Sequence, residues 1–173
     1  MPKSRTKDTY PEVLVIQATN TASATAWAAA TGEFPIINVG IGGGTSSTAR
    51  VVEILKVIFT MSGYGGTGGY SAVLLSGFNL ANKTTTDKTI AQSFADQRTL
   101  TYATPHYTWP QQEIDMTDDK GHGVLYPATS IFLNLIGQAA VVGTCTCQIL
   151  YRFRTVGLNE YLGIVNQYQL QTT

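Results

Sequence analysis

Charge is scarce in this chain. Lys and Arg number 11 and Asp and Glu 11 among 173 residues, a charged fraction of 13% with no net charge. With 43% apolar residues beside so little charge, a disordered polyelectrolyte is excluded as the expectation. Low charge fits a surface covered largely by copies of the same chain, because interface cores are depleted of charge. Cysteine is nearly missing too. Cys145 and Cys147 are the only two, which excludes a disulfide-stapled scaffold. At i and i+2 on one strand, their parallel Cβ vectors disfavour a bridge. A Cys-x-Cys metal site would need two further ligands, which the pattern does not supply. They read as small buried groups of a protein made inside a cell.

Other absences narrow the function. No run approaches the roughly 20 apolar residues of a membrane span, and the polar N-terminus has no apolar segment of the signal-peptide kind. No membrane partner is expected, and the sequon Asn82-Lys83-Thr84 is expected to stay unused. There is no Gly-x-Ser-x-Gly elbow and no Walker loop. Gly40 to Thr45 is glycine-rich but lacks the lysine of a phosphate cradle. Two histidines, His106 and His122, are too few for a metal-dependent cupin and read as exposed loop residues. Glu113, Asp115, Asp118 and Asp119 do not match a calcium-loop spacing and read as a solvated acidic loop. The expectation is no enzyme, no cofactor and no metal.

What is present is strand. From Gly143 to Val156, Cys145, Cys147, Ile149, Tyr151 and Phe153 alternate with Thr144, Thr146, Gln148, Leu150, Arg152 and Arg154. A period of two over that length marks a strand with one buried face. It sets Arg152 and Arg154 about 7 Å apart on the other face. Arg50 to Met61 is apolar on both parities, which predicts a central strand covered on both faces, with Glu53 and Lys56 near an edge or interface. Its two parities read Glu53, Leu55, Val57, Phe59, Met61 against Val52, Ile54, Lys56, Ile58, Thr60. Further strands are expected over 12–17, 22–28 (against an alanine-rich helix), 70–78 and 98–103, the last with Leu100 and Tyr102 on one side. Residues 124–136 and 138–155 read as a last strong pair. Residues 90–94 fit a short helix or strand, 104–122 an irregular excursion, and 156–169 an ordered tail.

Roughly eight antiparallel strands separated by turn signals predict an all-β chain, a single jelly-roll sandwich. Residues 1–10 form a basic, flexible N-terminal arm in this reading, and 11–173 the jelly-roll domain. Lys3, Arg5 and Lys7 make the arm a candidate for contact with nucleic acid. Arg152 and Arg154 are the second candidate pair. Trp27, Trp109 and the nine tyrosines read mainly as core and subunit contacts rather than as a stacking platform for sugars or bases. The rivals with a related fold are a carbohydrate-binding module or lectin, which needs that exposed platform, and a cupin-like enzyme, which needs metal ligands.

The run Cys147-Gln148-Ile149-Leu150-Tyr151-Arg152-Phe153-Arg154-Thr155-Val156-Gly157-Leu158-Asn159-Glu160-Tyr161-Leu162-Gly163-Ile164-Val165 resembles the end of capsid proteins of small circular single-stranded DNA viruses, the CRESS-like group. Arg50 to Val57 is similar to a strand of the same group. The close resemblance spans about a quarter of the chain. It implies a capsid protein that self-assembles into a small icosahedral shell, about sixty copies where one chain fills the asymmetric unit, around single-stranded DNA bound without base preference. It also implies a place in the virion, assembled inside the host cell. Such proteins often begin with a long arginine-rich arm. Here only Lys3, Arg5 and Lys7 stand in that place, so inner-face residues such as Arg152 and Arg154, or ordinary counterions, would meet part of the genome's charge.

Overall fold

The computed structural model describes residues 10–20, 25–35, 48–62, 72–81, 83–84, 89–105, 110–137 and 142–169. Among these residues, nine strands and two helices follow in chain order: β1 (Glu12–Thr19), β2 (Ala28–Glu33), β3 (Thr48–Ser62), β4 (Ala72–Ser76), α1 (Ile90–Ala95), β5 (Thr99–Ala103), β6 (Gln111–Asp115), β7 (Val124–Tyr126), β8 (Ser130–Ile136), β9 (Thr144–Gly157) and α2 (Leu158–Gln169). The first sheet runs β1-β9-β3-β6, and the second β2-β8-β4-β5. Every pairing is antiparallel. β6 pairs with Lys56 to Thr60 and β7 with Val52 to Ile54, so the two share one strand's place beside β3. Eight strand positions in two facing sheets, wound as two Greek keys, make a jelly roll.

The core lies between the sheets. Cys145, Cys147, Ile149, Tyr151 and Phe153 all enter it from β9, as the period of two predicts. Fully burying each aliphatic side chain contributes about 1.5–3 kcal/mol. Burial pushes the Cys145 thiol up to about 12 and the Cys147 thiol well above its ordinary value, so both stay protonated. From the second sheet come Val73, Leu75, Ala103, Ile131, Leu133 and Leu135. Gly32 lets β2 close against β1, since a Cβ there would stand 2.4 Å from Ile16 Cδ1.

β3 departs from a strict alternation. Its core residues are Val52 and Ile54, then Val57, Phe59 and Met61. A bulge falls between Ile54 and Lys56, where the register against β9 shifts. The extra residue, Leu55, exchanges the parities, so Glu53 and Lys56 both leave the core on the outer face. Neither parity read from sequence is therefore the core face along the whole strand. Glu53 also sits in the centre of the sheet, between Leu125 and Arg152, rather than at an edge.

Other expectations change in the same way. β5 is bulged where Leu75 and Ser76 pair with Thr101 and Thr99. Leu100 consequently packs on the core while Tyr102 stacks outside on Phe94, with ring centroids 4.1 Å apart. The excursion over 104–122 contains β6, and β8 and β9 lie in opposite sheets rather than pairing. The strand expected over 22–28 begins at Ala28 among the described residues. α1 is a helix, closed by a capping box in which the Thr89 hydroxyl accepts from the Gln92 N–H and the Gln92 side chain accepts from the Thr89 N–H. The ordered tail is α2. Tyr161, Ile164, Val165 and Tyr168 form its less exposed stripe, at helical spacing. Tyr168 meets Tyr126 edge to face at 5.7 Å.

Candidate assembly interface

The outer face of the second sheet is closed by the chain itself. Between β4 and β5, residues 77–81 and 89–98 fold back over it. Trp27, Leu74, Leu80 and Ile136 are buried there, with Phe78, Ile90 and Phe94 packed against them. Asn134 is buried under this cover and satisfied. Its carbonyl accepts from Leu80 N–H at 2.8 Å, and its amide donates to Ser76 Oγ at 2.9 Å and Phe78 O at 3.1 Å. A buried amide with its bonds made fixes the cover in register.

The outer face of the first sheet has a covered end, where Ala49, Val51 and Val156 are buried under Leu125 and Tyr161, and three bands beyond it. One end is neutral and polar, with Gln17, Thr60, Thr146 and Gln111 side by side across four strands. The middle is apolar. Val13 and Val15 are each 57% exposed. With Lys56, Ile58 and Gln148, Val13 and Leu150 line a shallow dent of about 120 Å³. Lys56 also forms an ion pair with Glu113 across the strands, both side chains being substantially exposed.

The third band is charged and centres on Glu53. This carboxylate is buried. It accepts from Arg152 Nε and, at 2.9 Å, from the Gly123 N–H. Arg154 Nη1 lies 3.9 Å away on one side, and Arg154 Nη2 lies 3.9 Å from Glu160 on the other. Burial pushes the Glu53 carboxyl up. The Arg152 bond, the Gly123 amide and the two positive charges outweigh that, leaving it below the ordinary carboxylate range. The paired arginines of the strand pattern thus surround a single carboxylate. Nothing in the local pattern of β9 signals this, although a lone acid inside the apolar run of β3 is the trace it leaves.

The remaining candidates separate. Lys3, Arg5, Lys7, His106 and Trp109 lie outside the described residues. Tyr10 is exposed, and Trp27 belongs to the buried cover. His122 is exposed in a loop, its Nδ1 3.3 Å from Asp118. The acidic group is dispersed: Glu113 binds Lys56, Asp115 caps Thr117, and Asp118 accepts from the Lys120 and His122 amides. Among the described residues, no three of His, Cys, Asp and Glu gather as a metal site.

Fold and face together define a jelly-roll sandwich with the outer face of one sheet covered and that of the other covered only at its α2 end. No protein-family model matches the chain. No curated protein matches its sequence. Among solved structures it is similar to the Merkel cell polyomavirus virus-like particle, with TM-score 0.51 and 10% identity over 88% of this chain and 76% of that one. VP1 of trichodysplasia spinulosa-associated polyomavirus, in complex with GM1 oligosaccharide, matches with TM-score 0.49 and 8% identity over 89% and 96%. Merkel cell polyomavirus VP1, in complex with disialyllactose, matches with 0.47 and 10% over 89% and 97%. At such identities the likeness is one of fold.

Proposed function

We propose that this chain is a structural shell protein, a jelly-roll subunit that associates with copies of itself rather than an enzyme. The observation that carries this reading is the asymmetry of the sandwich. Its own chain covers the outer face of one sheet, while the other, beyond its end under Tyr161, presents an apolar band beside a charged one. The fold it shares with a polyomavirus virus-like particle supports the same reading. The finer proposal is a closed icosahedral particle of about sixty copies, located in the virion and built inside the host cell. The single-stranded DNA genome comes from the resemblance of residues 147–165 to capsid proteins of small circular DNA viruses.

DNA contact is assigned first to Lys3, Arg5 and Lys7. Arg152 and Arg154 contribute less positive charge to it, because Glu53 and Glu160 offset them. Purified protein should elute as particles in size-exclusion chromatography and appear as uniform shells in negative stain. A chain that stays monomeric at high concentration across salt and pH contradicts the reading. A small soluble oligomer that binds a glycan array would point instead to a carbohydrate-binding module.

A further inference from the structure

We infer that the outer edge of β1 is a self-pairing edge, which takes up β1 of a second copy in antiparallel register across a two-fold axis. The inference rests on the reading that copies of this chain associate, and it names where two of them meet. It begins from a comparison of the sheet edges. Sheet edges in stable proteins are protected by charge, proline, bulges or shortness. The far edge of the first sheet carries Glu113 and Asp115, follows Pro110, and is broken between β6 and β7. β5 is five residues long and pairs across a bulge. β2 carries Gly32 and Glu33 in a six-residue strand. β1 has none of these protections along its length. It is eight residues long and keeps unbroken register with β9. Its one charge, Glu12, is at its first position. Val13 and Val15 are each more than half exposed.

The backbone points the right way. Asn20 N–H donates to Gly143 O at 3.0 Å, continuing the ladder one step past Thr19 and Thr144. In an antiparallel strand alternate residues turn both peptide groups to the same neighbour. Even-numbered residues of β1 therefore face β9, and Val13, Val15, Gln17 and Thr19 turn their N–H and C=O outward. Among the described residues, no backbone bond beyond the ladder engages these groups.

The strand is also its own complement. With Val15 opposite its copy in the partner, Val13 meets Gln17 and Glu12 meets Ala18. No like charges face each other. Three outward pairs give about six backbone hydrogen bonds. Pro11 lacks an N–H and ends the ladder beyond Val13. The apolar band of Val13, Val15, Leu150 and Ile58 then runs on into the partner's band. A two-fold contact of this kind is isologous and closes on itself, as a closed shell requires at its two-fold axes.

Val15→Pro tests the pairing, because it removes one outward N–H and leaves every bond to β9. Proline is accepted on an edge where its missing N–H faced outward. Circular dichroism should show a folded subunit, and closed particles should fall at least about tenfold in yield. Val15→Thr keeps the N–H and should assemble. Hydrogen exchange on wild-type protein gives a second readout that needs no variant to fold. The amides of Val13, Val15 and Gln17 should exchange at least about tenfold more slowly in particles than in dissociated subunits. Particles with those amides unprotected, or formed equally well by Val15→Pro, overturn the edge pairing and leave the shell reading standing. Dimers with protected amides but no particles overturn the shell and keep the pairing. A monomer under all conditions overturns both.

Discussion

Glu53 is buried in mid-sheet and ionised because two donors, Arg152 and the Gly123 amide, bond it and the Arg154 charge lies 3.9 Å away. Its folded pKa lies below the ordinary value. A carboxyl shifted in that direction stabilises the fold above the pH where the unfolded group titrates. That stability is lost as pH falls through the folded pKa. Glu53→Gln should therefore be less stable than wild type at neutral pH by about 1.5–3 kcal/mol, the range for a hydrogen bond to a charged group. Thermal melts between about pH 7 and about pH 3 should show the gap closing in acid, as the wild-type carboxyl takes up its proton. A gap that stays constant across that range would mean that shape and not charge holds the site.

At the scale of elements, the bulge at Leu55 organises the open sheet. It lets Val52 and Ile54 on one side, and Val57, Phe59 and Met61 on the other, all reach the core. Met116 N–H donates to Leu55 O at 2.9 Å, so the loop between β6 and β7 is anchored at the bulge. Gly123 brings that loop onto β3, where a Cβ would stand 2.2 Å from Ile54 O. Gly123→Ala should cost about 1–3 kcal/mol through overpacking against backbone, read as a lower denaturant midpoint at unchanged slope. Gly163, inside α2 with nothing within 4 Å of an added Cβ, is the contrast. Gly163→Ala should stabilise by about 0.5–1 kcal/mol through helix propensity. The sequence showed an ordered tail over 156–169 but not that it is the helix α2, whose less exposed stripe is Tyr161, Ile164, Val165 and Tyr168. β6 was not legible, since Gln111 to Asp115 holds one apolar residue, Ile114, among polar ones. It is a strand because β3 offers it a ladder.

For the whole molecule, the proposed packaging of DNA separates from the proposed shell. Replacing Lys3, Arg5 and Lys7 by Gln should leave particles intact and lower their nucleic-acid content, measured by absorbance ratio and extraction. Binding of single-stranded DNA should lose about 2 from the slope of log affinity against log salt, because three phosphate contacts are removed. Equal DNA content in both particles would take the N-terminal cations out of the mechanism.

The sequence by itself determined what depends on local period and composition. The buried face of β9, with both thiols in it, and the all-β class follow from spacing two. Tertiary structure decided what depends on which strands become neighbours. Register across β3 and β9 turned Arg152 and Arg154 from an isolated cationic pair into partners of Glu53. Bulges at Leu55 and beside Ser76 exchanged faces that strict alternation keeps apart. Residues 77–81 and 89–98 return over the outer face of one sheet, while on the other only the end beside α2 is covered, and this determined which surface stays exposed. A period records only how a segment meets its own surroundings, whereas long-range closure selects those surroundings.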